Sequence, residues 1–130
     1  MLDADVIIRG EKGTFDFKKW VTSYLKEQFE IAAITVAELW QGVERASGRR
    51  KDTRERYLKA VLEPIPIIHY TEQTAYEHAR IWAELEASGT MIGFYDLIVG
   101  ATAMERGSTV ATFNTRHFAK IRGLRLIEPN

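Results

Sequence analysis

The chain holds 130 residues, 45% hydrophobic and 28% charged, with 9 Gly, 3 Pro and no Cys, which suits one compact domain with an apolar core and is too little for two. The lack of cysteine excludes a disulfide framework, a thiolate zinc site and a cysteine nucleophile, and the balance of 18 basic against 18 acidic side chains excludes the uniformly positive field of a protein that grips long nucleic acid. No apolar run approaches the roughly 20 residues of a membrane-spanning helix, and Asp3 and Asp5 stand where a secretion signal would be basic; the expectation is a single soluble domain, residues 1–130, in the cytoplasm.

In chain order, residues 1–8 read as a short apolar strand, and residues 15–29 as a helix striped by Phe17, Trp20, Val21, Tyr24 and Leu25. Residues 29–34 suit a buried strand. Thr35 then opens a helix whose Val36, Leu39, Trp40 and Val43 follow the i, i+3, i+4, i+7 spacing of one buried face. A charged helix over 52–62 ends at Glu63-Pro64, residues 65–69 form a second apolar strand, and a helix over 72–87 places Ala75, Ala79 and Trp82 on its buried side. Residues 94–105 are apolar almost all round and predict a central helix. Residues 108–112 and 124–127 supply the last strands, joined by a short helical stretch over 114–121. Strands alternating with helices predict an α/β fold with a mainly parallel sheet between helical layers.

Charge is segregated. Residues 44–59 carry seven Arg or Lys against three acids, and residues 62–96 carry six acids against Arg80 alone. The basic stretch reads either as a solvated helix face or as a contact for RNA or an acidic partner.

Three carboxylates stand apart from these solvated charges. Asp96 is the only charged residue between Met91 and Met104, where burying a carboxylate is costly unless something answers its charge; it is either a helix-start residue complementing the backbone dipole or a metal or catalytic group. Asp3 lies among Met1, Leu2, Ala4 and Val6, at what would be the carboxyl edge of the first strand, where open α/β sheets place their ligands. Asp5 competes for that edge: an extended strand puts both on one face, whereas a turn beginning at Ala4 separates them. Glu38 has two opposed readings. With Thr35 it spells a capping box, yet at about 100° per residue it points away from the Val36, Leu39, Trp40, Val43 stripe and is free to face a cleft.

The segments LDADVII, ITVAELWQGV and GFYDLIVGATAMERGSTVATFNTRHF together resemble the PIN-domain ribonucleases, above all the VapC toxins of type II toxin–antitoxin pairs, over nearly the whole chain. The resemblance implies a PIN-like three-layer α/β/α sandwich and an acidic catalytic cluster. The first Asp of the family's opening motif falls on Asp3, its helix-borne Glu on Glu38, the Asp that opens the late helix on Asp96, and the fourth polar position on Asn114. Asp5 stands where the family commonly has Asn or Ser, and His117 where it is often acidic. Only Met1 and Leu2 precede Asp3, fewer residues than such chains usually have.

The resemblance further implies a Mg²⁺- or Mn²⁺-dependent endoribonuclease acting on structured RNA such as tRNA or ribosomal RNA loops, a cognate antitoxin received by a groove between the early helices, to which Trp40 could belong, and a homodimer. Hard divalent ions take oxygen ligands, and Mg²⁺ needs only one or two protein carboxylates, a demand that Asp3 and Asp96 would meet. Thr112 and Asp5 would support the site, and His117 would reach a substrate phosphate. His69 and His78 read as structural or surface residues. Two rival readings are a PIN-like module that binds RNA or a partner without cutting, and a receiver-type phosphoacceptor domain, which would need an Asp ending a middle apolar strand, whereas Asp52 lies in a charged helical run.

Overall fold

The computed structural model describes residues 1–130. Its elements are α1 (Ala4–Lys12), α2 (Phe17–Thr22), β1 (Ile31–Ala32), α3 (Ala33–Arg45), α4 (Gly48–Leu62), β2 (Ile67–Ile68), α5 (Glu72–Ser88), α6 (Phe94–Arg106), β3 (Val110–Ala111), α7 (Thr115–Phe118) and β4 (Leu126–Ile127). Both strand pairs, β1 with β2 and β3 with β4, are parallel. The amino-terminal segment joins them: Leu2 bridges Ala111 in parallel, and its amide donates to the Glu30 carbonyl at 2.8 Å.

The period of two along each strand sorts side chains between the two faces. Met1, Ala32 and Val110 enter a core built with Ile81, Leu85, Leu97, Val99 and Phe118 from α5, α6 and α7. Their neighbours Leu2, Ile31 and Ala111 enter a second core with Val6, Ile7, Leu39, Val43 and Leu58 from α1, α3 and α4. Two cores divided by parallel strands make the expected α/β/α sandwich. α6 crosses its core closely enough that a Cβ on Gly100 would collide with Ile121.

Four local expectations are corrected. Residues 1–8 do not form a strand: the chain turns into α1 at Ala4 because Asp3 caps it, Oδ1 accepting from the Ala4 amide at 2.9 Å. Asp5 in the first turn favours the same helix. The helix over 15–29 shrinks to α2, followed by hydrogen-bonded turns. α3 begins at Ala33 with Ala32 as an N-cap that makes no side-chain bond, so Thr35 lies inside the helix, buried, and the Thr35–Glu38 capping box does not exist. The box belongs instead to α5, where Thr71 and Thr74 exchange side-chain to amide bonds. Finally, α5 buries Thr74, Ile81 and Leu85, and leaves Trp82 45% exposed: large β-branched and Leu side chains outcompete the Ala face for the core.

Phe118 is the largest fully buried side chain and holds α7 beneath the carboxyl ends of the strands. Phe118→Ala is expected to cost about 3–5 kcal/mol, read as a lowered midpoint in urea unfolding with an unchanged m-value.

Candidate active site

The carboxylates meet where parallel strands end and helices begin. Asp3 follows the bridge at Leu2 and is 4% exposed; its Oδ2 accepts from the Thr112 hydroxyl at 2.8 Å. Thr112 directly follows β3, and its Oγ1 also accepts from the Asn114 amide at 2.9 Å, so one side chain ties residues from both ends of the sequence. Asp5, half-buried on α1, accepts through Oδ2 from the Phe113 amide at 3.0 Å, with the Thr112 hydroxyl 3.4 Å away. The turn at Ala4 therefore does not separate the two aspartates, because both reach the segment after β3.

Glu38 projects from the second turn of α3, and Asp96 from the first turn of α6. The two helices are linked by a hydrogen bond from Gln41 to the Tyr95 hydroxyl. On the other side Asp96 Oδ2 lies 3.5 Å from Asn114 Nδ2 and 3.3 Å from His117 Nδ1, and these two nitrogens are 2.7 Å apart. The structure thus brings together Asp3, Asp5, Thr112 and Asn114 through hydrogen bonds, and Asp96, Asn114 and His117 through a second set.

Electrostatics joins the two sets. Burial pushes Asp3 up to about 7, the charge of Asp5 adds to this, the Thr112 bond opposes it, and Asp96 and Glu38 raise it further. Burial, then Asp96 and Asp5, raise Glu38. Asp5 is raised by burial against the lowering effects of the Phe113 amide, the Arg9 charge and Thr112. Four carboxylates within each other's fields make the cation-free site unfavourable.

Two oxygens sharpen this. Asp5 Oδ1 and Glu38 Oε1 are buried and have no hydrogen-bond partner, an uncommon cost for native side chains. Each is an oxygen of the kind that a hard divalent cation takes as a ligand. No three Asp, Glu or His side chains stand close enough to hold an ion unaided, so an ion bound here would rest on one or two of them and on water, an arrangement Mg²⁺ accepts. A cavity of about 740 Å³ opens at the opposite, amino-terminal edge of the sheet between Trp20, Phe29, Arg106 and Arg125, and is lined by none of Asp3, Asp5, Glu38 and Asp96.

Sequence reasoning missed Arg9 and Phe113. The Arg9 guanidinium carbon lies 4.1 Å above the centre of the Phe113 ring. The available signal was the i, i+4 spacing from Asp5, which a helix starting at Ala4 would have revealed.

Residues 1–124 match the PIN domain family. The chain is 28% identical to "Ribonuclease VapC1" of Rickettsia felis across 98% of its own length and 93% of the relative's. It is 31% identical to the "tRNA(fMet)-specific endonuclease VapC" of Salmonella typhimurium across 74% and 71%. Among solved structures it superposes on a chain of DNA-bound VapBC from Salmonella typhimurium with a TM-score of 0.88 at 27% identity, covering 98% of this chain and 96% of that one. With its acids gathered at the carboxyl ends of parallel strands, the chain belongs to the PIN domain family, among the VapC ribonucleases.

Proposed function

We propose that this protein is the toxin of a type II toxin–antitoxin pair, a cytoplasmic, Mg²⁺- or Mn²⁺-dependent endoribonuclease that hydrolyses phosphodiester bonds in exposed loops of structured RNA. The observation that carries the reading is the pair of unpartnered buried oxygens on Glu38 and Asp5 beside a buried Asp3. Buried carboxylate oxygens left without a donor are suited to an ion that arrives with the substrate. The likeness to a tRNA(fMet)-specific endonuclease supports structured RNA, whose loops offer unstacked bases. The likeness to a VapBC complex supports a cognate antitoxin. No helix is long and apolar enough to cross a membrane.

In the mechanism, Asp3 and Asp96 would hold the divalent ion, with Glu38 and Asp5 completing its surroundings through water. When bound, such an ion polarises the scissile phosphate and lowers the pKa of a coordinated water towards neutrality. Thr112 fixes Asp3 in one rotamer by donating to Oδ2, and the Ala4 amide fixes the other oxygen. Asn114, aligned on Asp96 and His117, presents an amide to a phosphate oxygen, and half-exposed His117 stands at the mouth of the site.

The test pairs growth with cleavage. Expression of the wild-type chain is expected to arrest growth, and the purified protein to cut a tRNA pool in Mg²⁺ but not in EDTA. Asp96→Asn should lose both effects, roughly a thousandfold in rate, while melting no earlier than wild type. Full cleavage by Asp96→Asn would reject the assignment. Cleavage-free but tight binding of RNA by the wild type would favour a non-catalytic PIN-like binding module.

A further inference from the structure

Arg9 is the cation that acts on the carboxylate cluster. It lies one helical turn after Asp5 on α1, is exposed, and offsets the Asp5 charge without a direct ion pair to any carboxylate. Its position is built. The guanidinium lies over the face of Phe113 at 4.1 Å, and that ring packs in a T-shaped pair with Phe15, ring centres 5.2 Å apart and planes at 79°. The Phe113 amide in turn donates to Asp5 Oδ2 at 3.0 Å. Stacking of this kind fixes the plane of a guanidinium and leaves its N–H edge unused, and that edge matches two oxygens of a phosphate. An arginine needed only to neutralise Asp5 would close on the carboxylate and would need no ring beneath it.

We infer that Arg9, shelved on Phe113, is a substrate-positioning residue: it takes a backbone phosphate of the RNA next to the scissile one and so draws a polyanion onto a site that is itself anionic. The inference rests on the nuclease reading and adds to it a residue that binds substrate without entering the chemistry. A phosphate held at the rim opposes the repulsion between RNA and the four carboxylates, and it fixes the strand's register before cleavage.

Steady-state cleavage of a single-stranded RNA oligonucleotide in Mg²⁺ over a salt series, with anisotropy binding of the same oligonucleotide in EDTA, tests this. Arg9→Gln is expected to raise KM about tenfold with kcat within twofold, and to flatten the slope of log affinity against log salt by about 0.7, the loss of one single-strand phosphate contact. Arg9→Lys, which keeps the charge but not the planar fork, and Phe113→Leu, which removes the shelf, should each raise KM severalfold. Wild-type KM and salt slope in Arg9→Gln would overturn the inference, as would a fall in kcat with a displaced pH profile, which would make Arg9 a tuner of Asp5. Wild-type KM in both Arg9→Lys and Phe113→Leu would overturn the stacked geometry. A wild-type protein that binds the oligonucleotide with the Arg9-dependent slope yet never cuts it would sink the nuclease reading and leave the phosphate contact standing.

Discussion

Asp3→Asn is expected to make the metal-free protein more stable at pH 8 while removing its activity. Asp3 titrates at about 7 in the fold against an ordinary value of 3.8, so the folded state keeps a proton that the unfolded state has lost. The sign follows from the raised value: the stability this gives is fully present below the ordinary pKa and disappears as pH rises through about 7. At 1.36 kcal/mol per pH unit the span is on the order of 4 kcal/mol. Asn has nothing to ionise. Its carbonyl can still cap the Ala4 amide, and its NH2 can face Thr112 Oγ1, so both contacts survive. Urea unfolding between pH 4.5 and 8 should show a stability that falls with pH in the wild type and falls much less in Asp3→Asn, the two curves meeting near the acid end. Cleavage by the variant should drop roughly a thousandfold. A variant less stable than wild type at pH 8 would mean that the Asp3 charge is answered within the protein.

Magnesium is expected to offset much of that wild-type fall. A ligand that binds only the folded state at a hundred times its Kd adds about 2.7 kcal/mol, which for a chain of this size raises Tm by roughly 10 °C. Because the ion needs ionised carboxylates, protons compete with it, and Asp3, Asp5 and Glu38 all hold their protons more tightly than usual. The shift produced by Mg²⁺ should therefore be large at pH 8, small at pH 5, and abolished by EDTA. Asp96→Asn and Glu38→Gln should lose most of it at every pH. An equal shift in Asp96→Asn would place the ion elsewhere on the protein.

Much of the layered fold was legible because amphipathic spacing survives in sequence. The central helix over 94–105 appears almost residue for residue as α6, and the apolar face of α3 is correct at Leu39 and Val43. The strands were legible only as places. Each regular strand is two residues long, too short for alternation to mark its ends, and so Val6, Ile7 and Ile8 read as a continuing strand when Asp3 had already opened a helix. The α5 error has a different cause: Ala75, Ala79 and Trp82 form a true helical stripe, but which of two apolar stripes faces the core depends on what α6 presents to it. At the site, isolation among apolar neighbours marked Asp3 and Asp96. Glu38 was ambiguous because T-x-x-E spells a cap as well as a ligand, and only the start of α3 two residues earlier separates them. Arg9 was legible only through its i, i+4 spacing from Asp5 once α1 starts at Ala4, whereas its ring partner Phe113, 104 positions away in the numbering, leaves no local signal.

The hydrogen bond from Thr112 to Asp3 joins residues from the two ends of the chain, and Thr112 is itself set by an amide bond of 3.0 Å to the Ile127 carbonyl in the last strand. During synthesis the carboxylates of the first turn therefore wait for their partners. At roughly 5–20 residues per second, on the order of ten seconds separate the synthesis of Asp3 from that of Ile127. A chain that has not yet reached Ile127 therefore lacks the strand that sets Thr112 and, through it, Asp3.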